Sequence, residues 1–283
     1  MEIKRSRGLS FIAIFLVYAI ATISGLIFYK ILPYEFWLKI LIADVLATVV
    51  VFVFSVVFEN ASVYDPYWSV LPIVLVVAFA VTNGLNNLRL LYLIAICFWG
   101  LRLTANWAYT FKNLNHQDWR YKMLKRNTGA FYPLVNLFGI HLFPTLVVYG
   151  CMLPVLFAFF SNVQVNVGSY IFFAVSILAV VLQGVSDCQM HKYRKNKATP
   201  FIRNGLWKYS RHPNYLGEII MWWGVALSFV CVFPSLWYLS IGALVNTLMF
   251  LVVSIPMADK RQAKKEGFAE YKKQTRILLP IKK

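Results

Sequence analysis

Four polar side chains open a strongly apolar run in the segment GLWKYSRHPNYLGEIIMWWG at residues 205–224: Arg211, His212, Asn214 and Glu218. Pro213 predicts the start of a helix, because the missing N–H of a proline costs no hydrogen bond in the first turn. The free N–H groups of a helix N-terminus favour an anion, and adjacent basic side chains strengthen that preference. Asn214 and Glu218, four residues apart, share one helix face and point into the protein. The spacing therefore favours an anion-binding site over a simple interfacial anchor.

Two charges fall deep inside other apolar runs, where an ionised side chain costs roughly 3 kcal/mol on insertion scales. In CFWGLRLTANWAYTF, the spacing of Trp99, Arg102 and Asn106 puts them on one helix face. Arg102 fits two interpretations equally well: a structural arginine, which is paired inside the bundle or snorkels toward the cytoplasm, or a member of a binding site. Asp44 stands alone in LKILIADVLATVV, and a structural pairing with a neighbouring helix is the favoured interpretation.

Aromatic and charged residues also mark the boundaries of the apolar runs. YDPYWS at 64–69 places Asp65 at such a boundary, where an aromatic belt alone would explain the tyrosines and the tryptophan. NHQDWRYKMLKR at 115–126 predicts an interfacial segment, either an amphipathic helix on anionic lipid or part of a binding site. Asp187 ends the sixth predicted span, where it would cap basic neighbours or fix an arginine that holds a ligand.

Long apolar runs must position these side chains. Of the 283 residues, 60% are hydrophobic and 14% are charged, which is far from the balance of a soluble domain. The runs suit membrane helices of about 20 residues, and a β-barrel would show short alternating segments instead. The predicted fold class is an all-α polytopic membrane helical bundle with seven or eight transmembrane helices and cytoplasmic interfacial helices. The predicted spans are 9–29, 36–58, 69–82, 90–111, 134–160, 168–187, 214–233 and 236–257; the third is short, which leaves seven as the alternative.

Basic residues are concentrated at the two termini and in the segments 112–126 and 192–211, which the order of the predicted spans places on one side of the membrane. Of the 28 Lys and Arg residues, only four lie elsewhere: Lys30, Lys39, Arg89 and Arg102. The positive-inside rule then places both termini in the cytoplasm, with the protein in a bacterial inner membrane or the endoplasmic reticulum. The same distribution explains the net charge of +17 and argues against a nucleic-acid partner. The first apolar run is too long for a signal peptide and is expected to remain as a helix.

The cysteines and histidines have no zinc-site spacing, so no metal site is predicted. The four cysteines lie far apart in or beside apolar runs and are expected to be ordinary buried thiols: Cys97, Cys151, Cys188 and Cys231. The sequence also contains no glycine-rich nucleotide-binding loop. A nucleotide would therefore have to be held by side chains and helix ends within the bundle.

Residues 205–224 resemble the C-terminal signature of the steroid 5-alpha-reductase superfamily, most of all its DUF1295 branch. Three further motifs support the resemblance: D-x-x-W-S at Asp65, Trp68 and Ser69; R-L-T-x-N-W from Arg102 to Trp107; and E-D-W-R-Y, where Gln117 replaces the acid. The closing tail pattern is matched in part, by Pro256, Asp259, Arg261, Tyr271 and Pro280. The likeness spans about residues 60–283. It divides the chain into N-terminal transmembrane helices at 1–60 and a reductase-like membrane domain at 61–283.

The resemblance implies that NADPH reduces a conjugated C=C bond in a lipophilic steroid, sterol or isoprenoid-like enone. It assigns these residues to the cofactor: Arg102, Asn106, Arg120, Tyr121, Asp187, Arg194, Tyr209, Arg211, His212, Asn214, Tyr215 and Glu218. On the substrate side it implies an acid and aromatic side chains near the enone carbonyl: Asp65, Tyr64 and Trp99. A proton donor aimed at that oxygen lowers the barrier to hydride transfer. Trp99 departs from the family because it has no hydroxyl.

Two other functions share parts of the pattern. Isoprenylcysteine carboxyl methyltransferases carry a variant of the R-H-P motif and a similar tail, so an S-adenosylmethionine-dependent membrane methyltransferase is the alternative enzyme. A catalytically silent lipid-binding relative is the third possibility. All three share the bilayer and a lipophilic small molecule as partners.

Overall fold

Helices form all the regular structure of the computed structural model, which describes residues 2–279. The α-helices are α1 (Arg7–Ile31), α2 (Phe36–Val57), α3 (Tyr67–Asn83), α4 (Asn87–Thr110), α5 (Trp119–Thr128), α6 (Tyr132–Leu134), α7 (Phe143–Phe159), α8 (Val167–Asn196), α9 (Pro213–Val230), α10 (Ile241–Met249), α11 (Ile255–Gln262) and α12 (Phe268–Gln274). The predicted all-α polytopic bundle is therefore confirmed, and Pro280 lies outside the described residues.

Within the described residues, seven helical segments are long and apolar enough to cross a membrane. They are Arg7–Ile31, Phe36–Val57, Ala61–Asn83, Asn87–Thr110, Trp119–Phe159, Val167–Asn196 and Pro234–Gln262. The short predicted span at 69–82 belongs to one of them. The remaining predicted span, 214–233, corresponds to α9, which runs antiparallel to α8. Ser228 donates to the Ser169 carbonyl at 3.1 Å and Ser176 donates to the Met221 carbonyl at 3.2 Å.

Two glycines let α9 approach α8 closely. A Cβ on Gly217 would lie 2.8 Å from the carbonyl oxygen of Ala179. A Cβ on Gly224 would lie 2.9 Å from the carbonyl oxygen of Phe172. Both distances are shorter than real Cβ contacts, so only glycine fits at either position. The close approach brings the polar start of α9 against the C-terminal half of α8.

Two long helices contain a π-helical segment, Val135–Leu142 before α7 and Phe250–Ser254 before α11. A proline follows each segment within two residues, at Pro144 and Pro256. Proline cannot donate to the carbonyl four residues earlier, and its ring crowds that carbonyl. The wider turn relieves this conflict, and π-helical turns occur frequently at functional sites.

The basic segments 2–6, 111–131, 197–212 and 255–279 meet at one end of the bundle, together with the α2–α3 connection at 58–66. We call this end the basic end. Lys4 pairs with Glu59 at 3.2 Å. The Asn113 side chain donates to the Arg5 carbonyl at 2.9 Å. The guanidinium of Arg261 lies 4.3 Å from the ring centre of Trp119. Both ends of the described chain therefore lie at the same end of the bundle.

The opposite end, which we call the far end, is fastened by Arg89 of α4. Its Nη1 donates to the carbonyls of Asn83 at 2.5 Å and Gly84 at 3.2 Å. Its Nη2 donates to the Ser161 carbonyl at 2.9 Å. Because the acceptors belong to the α3–α4 turn and the segment after α7, one buried side chain ties α3, α4 and α7 together.

Reporter fusions test the orientation of the basic end. Fusions after Arg126, Pro200 and Lys283 should all report the cytoplasm, because the excess of basic residues retains these segments inside. A control fusion after Asn162, at the far end, should report the opposite side. Cytoplasmic activity after Asn162 together with none after Pro200 would reverse the orientation.

Candidate functional site

A buried arginine joins three helices in the Arg102 cluster, which consists of Arg102, Gln183, Asp187 and Glu218. Arg102 donates from Nη1 to Asp187 Oδ2 at 2.7 Å, and its Nη2 lies 3.8 Å from Glu218 Oε2. The same Nη2 also donates to Gln183 Oε1. These charged side chains are at most 16% exposed. The deep charge is thus paired inside the bundle, and a role of Arg102 in a binding site stays a prediction.

Two tryptophans hold the Glu218 carboxylate in place. The indole N–H of Trp99 lies 2.9 Å from Oε1 and 3.0 Å from Oε2. The indole N–H of Trp222 donates to Oε1 at 2.9 Å. The two rings meet edge to face with their centres 4.8 Å apart, so each restricts the other. Trp99, predicted on the substrate side, therefore acts in this structure as a donor that fixes Glu218.

The start of α9 positions the rest of the predicted motif. The helix begins at Pro213, as its position in the sequence predicted, with His212 as the N-cap residue. Asn214 and Glu218 follow on one face, where Glu218 is buried and Asn214 lines a cavity. The ring of His212 stacks on that of Tyr215, with their centres 5.2 Å apart.

A cavity of about 270 Å³ opens at the basic end, between α4, α8, α9 and the C-terminal segment. We call it the basic-end cavity. Seven residues that were predicted to contact the cofactor line it: Asn106, Asp187, Arg194, Arg211, His212, Asn214 and Tyr215. The other lining residues include Trp119, His191, Phe201, Trp207, Asp259, Arg261, Gln262, Phe268 and Tyr271. Residues distant in sequence therefore converge on one concave, basic and aromatic site.

Arg211 and His212 are held by the C-terminal segment. Arg211 donates to Asp259 Oδ2 at 3.1 Å and to the Thr275 carbonyl at 2.7 Å, and His212 Nε2 lies 3.0 Å from Asp259 Oδ1. The backbone N–H of Arg211 also donates to the Arg276 carbonyl at 3.0 Å. The side chain of Arg211 lines the cavity, but two of its three nitrogens already have internal partners. Its predicted cofactor contact stays a prediction.

The aromatic wall of the basic-end cavity is built by α12 and the segment before α9. Phe201 lies with its ring centre 5.3 Å from that of Phe268 and 5.1 Å from that of Tyr271. The Tyr271 hydroxyl donates to the Trp207 carbonyl. Burial raises the pKa of the Tyr271 hydroxyl, so it remains a neutral donor at physiological pH. This contact fixes the wall over the loop that leads into α9.

A second cavity, of about 510 Å³, lies between α4 and α8, and we call it the lateral cavity. Its lining residues are Arg102, Asn106, Tyr109, Gly184, Asp187, Cys188, His191, Lys192 and Lys195. It shares Asn106, Asp187 and His191 with the basic-end cavity. His191 Nε2 lies 2.7 Å from Asn106 Oδ1, so a hydrogen-bonded pair forms part of the wall common to both cavities.

Other predicted site residues line neither cavity. The Tyr64 hydroxyl lies 2.7 Å from Thr145 Oγ1, in a polar cluster near Asp44. Tyr67 donates to Asp44 Oδ1 at 3.1 Å, which agrees with a structural role for that buried acid. Tyr64 and Trp99 therefore lie in different surroundings, and the structure does not bring the predicted substrate-side residues together.

Asp65 belongs to a third group near α5. The Tyr121 hydroxyl donates to Asp65 Oδ1 at 2.6 Å. Arg120 pairs with the N-cap residue Asp118 at 2.9 Å, and Tyr209 is an exposed side chain under Lys208. The catalytic role of Asp65 and the cofactor roles of Arg120, Tyr121 and Tyr209 stay predictions, although the neighbouring Trp119 does line the basic-end cavity.

Sequence reasoning did not assign several residues that the site contains. His191 follows Asp187 by four residues and Gln183 precedes it by four, so helical spacing alone would have found both. Trp222 follows Glu218 by four residues and carries the same signal. Asp259 was noted only as a match to the tail motif, and no local pattern indicated that it would meet Arg211. The expectation of four buried thiols holds for Cys151 alone: Cys97 and Cys231 are half-buried, and Cys188 is exposed on the open side of the lateral cavity.

Comparison with known proteins identifies the family of this chain. The family model described as "Protein of unknown function (DUF1295)" matches residues 51–275, which is well over half of the chain. The chain belongs to the DUF1295 family. The matched range of this DUF1295 chain includes both cavities, the Arg102 cluster and α12. The DUF1295 part of the resemblance is therefore confirmed, whereas steroid reductase activity stays a prediction.

A relative of the DUF1295 chain occurs in Schizosaccharomyces pombe, where it is an uncharacterized protein. The two are 26% identical over 199 residues, which cover 59% of this chain and 57% of the relative. The DUF1295 chain thus spans little more than half the length of that curated relative. No solved structure matches it.

Replacing Arg102 tests the cluster. Arg102→Leu should lower the free energy of unfolding by about 3–5 kcal/mol, because Asp187 and Glu218 would remain buried without a counter-charge. Arg102→Lys should lower it less, since the charge remains although the fork geometry is lost. Chemical denaturation in mixed micelles measures both changes. Arg126→Leu removes an exposed arginine and should change stability by less than about 0.5 kcal/mol; equal effects of Arg102→Leu and Arg126→Leu would contradict the buried network.

Proposed function

We propose that this protein is an integral-membrane, NADPH-dependent reductase of a conjugated C=C bond in a lipophilic enone. The observation that carries the proposal is the convergence of seven predicted cofactor residues on the basic-end cavity. The resemblance of residues 205–224 and of the three other motifs to the steroid 5-alpha-reductase superfamily supplies the reaction class. Membership of the DUF1295 family is compatible with that class.

The chemistry of the cavity lining supports a dinucleotide. Arg194 and Arg261 make no ion pair with any described residue and offer cationic groups to phosphates. Asn106 and Asn214 offer amides, which bond hydroxyl and carboxamide groups. Gln262 Oε1 is buried and has no donor among the described residues, so a ligand N–H or O–H would satisfy it.

When bound, NADPH would supply a hydride to the β carbon of the enone. The contribution of the protein is to bind and orient, and to offer donors where negative charge develops on the carbonyl oxygen. The amide N–H groups of Asn106 can do so, because Asn106 lies on the wall shared by the two cavities. His191 donates from Nε2 to Asn106 Oδ1 and so orients that amide. The indole N–H groups of Trp99 and Trp222 hold the Glu218 carboxylate in one position, next to Arg102 and one turn from Asn214. Bulk water is limited there by Trp99 and Trp222, both fully buried.

A binding comparison separates the proposed reductase from a methyltransferase. NADPH should raise the melting temperature of the detergent-purified protein, and S-adenosylmethionine should not. A saturable effect of S-adenosylmethionine with none of NADPH would replace the reductase by the methyltransferase. No effect of either nucleotide would favour the silent lipid-binding relative.

Asn214→Ala tests the assignment of the basic-end cavity. Loss of a hydrogen bond that leaves a buried polar partner unpaired costs about 1–3 kcal/mol. NADPH affinity, measured by calorimetric titration, should therefore fall about 5- to 150-fold. Asn196→Ala is the matched control, because Asn196 is an exposed amide at the same end of the bundle that lines neither cavity. Equal affinities of the two variants would remove Asn214 from the cofactor site.

A further inference from the structure

The lateral cavity is a concave site whose open side the proposed cofactor, placed in the basic-end cavity, leaves unfilled. Its floor carries Arg102, Asn106 and His191, and its rim carries Cys188 and two lysines. The floor adjoins the basic-end cavity through Asn106 and His191. A ligand in the lateral cavity would therefore lie against the same wall as a nucleotide in the basic-end cavity.

The open side of the lateral cavity continues into the lipid-facing surface. On α8, Val181 and Val185 are 45% and 43% exposed, and Cys188, Lys192 and Lys195 continue the same stripe at helical spacing. On α4, Leu101 is 60% exposed. Exposed apolar side chains on a membrane-spanning helix contact acyl chains, so the cavity lies open to the bilayer.

The groups left free in the lateral cavity are donors and cations. Lys192 and Lys195 are exposed, and neither pairs with an acid among residues 2–279. The Nε of Arg102 is buried and has no acceptor in that range. The only acid in the lining, Asp187, is already paired with Arg102. The apolar stripe followed by lysines thus matches a lipid tail followed by a negatively charged head.

We propose that the lateral cavity admits the substrate sideways from the bilayer, between α4 and α8, and that the substrate is an acidic lipid. Its tail lies along Val181 and Val185, and its head lies between Lys192 and Lys195. The reactive part reaches the wall formed by Asn106 and His191. The role as substrate rests on the proposed reductase function, whereas the binding of an acidic lipid stands on the geometry of the cavity.

Alkylation of Cys188 measures occupancy of the lateral cavity directly. The purified full-length protein, in nanodiscs of phosphatidylcholine, is treated with N-ethylmaleimide and labelling is quantified peptide by peptide. A C20 isoprenoid acid should slow the labelling of Cys188 at least tenfold at saturation. Its methyl ester, which has the same tail but no charge, should slow it less than twofold. Cys97, which is half-buried and lies outside the cavity lining, serves as the internal reference.

The rim lysines give a matched pair of variants. In Lys192→Gln/Lys195→Gln, the concentration of acid that protects Cys188 should rise about fivefold to tenfold, the range expected for two exposed ion pairs. Lys260→Gln/Lys264→Gln removes two exposed charges at the same end that line neither cavity, and it should leave protection unchanged. Equal rises in both double variants would reduce the effect to general surface charge and overturn the assignment of the head site.

Other outcomes would also overturn the inference. If the acid and its ester protect Cys188 equally, the site does not recognise an acidic head. If neither protects Cys188, the lateral cavity does not bind the lipid. If nanodiscs of phosphatidylglycerol protect Cys188 as fully as the acid does, without any added acid, the cavity is a site for bilayer lipid and not for a substrate. NADPH binding is measured separately on the same samples. If the acid protects Cys188 but NADPH does not bind, the reductase proposal is rejected and the acidic-lipid site is kept. If NADPH binds but the acid does not protect Cys188, the acidic-lipid site is rejected and the reductase proposal is kept.

Discussion

The guanidinium of Arg102 must find counter-charges inside a bundle surrounded by hydrocarbon, and the way it does so determines how α4, α8 and α9 lie. One counter-charge comes from Asp187 and the other from Glu218, so all three helices have to approach within one side-chain length. Gly217 permits this approach because any Cβ there would strike α8. The two tryptophans then satisfy the oxygens of Glu218. Both cavities lie beside this junction, so the electrostatic requirement of one residue places the candidate site.

Most of the helical architecture follows from the sequence. Apolar length fixes the spans, and Asn86 and Asn166 cap α4 and α8 through their side chains, as expected for these residue types. The main difference is α8, which continues to Asn196 although its apolar run ends near residue 187. A helix need not stop where the membrane does, since basic residues are good helix formers in water. That extension places Lys192 and Lys195 beside α4.

The site residues could be predicted from the sequence only where their spacing places them on one face of a single helix. The pairs 99/102 and 214/218 emerge from helical spacing, and each contributes to the Arg102 cluster or to the basic-end cavity. Contacts between segments distant in sequence were not accessible in this way, as the pairing of Arg211 with Asp259 shows. Hydropathy shows which face of each helix avoids lipid, but it does not show which helices pack against each other through those faces. For the same reason Tyr64 and Asp65, neighbours in sequence, reach different partners, Thr145 and Tyr121.

Arg89 gives the bundle a mechanical asymmetry. Its hydrogen bonds to carbonyls fix α3, α4 and α7 at the far end, so a tilt of α4 about this attachment would displace the half of the helix that lines both cavities. The stretch from Arg89 to Arg102 is about 20 Å long, and a tilt of about 3° displaces Arg102 by about 1 Å. That displacement is close to the difference between the 2.7 Å contact of Arg102 with Asp187 and its 3.8 Å contact with Glu218. A tilt of that size would be enough to bring Nη2 of Arg102 within hydrogen-bond distance of Glu218, while Nη1 is the atom that contacts Asp187.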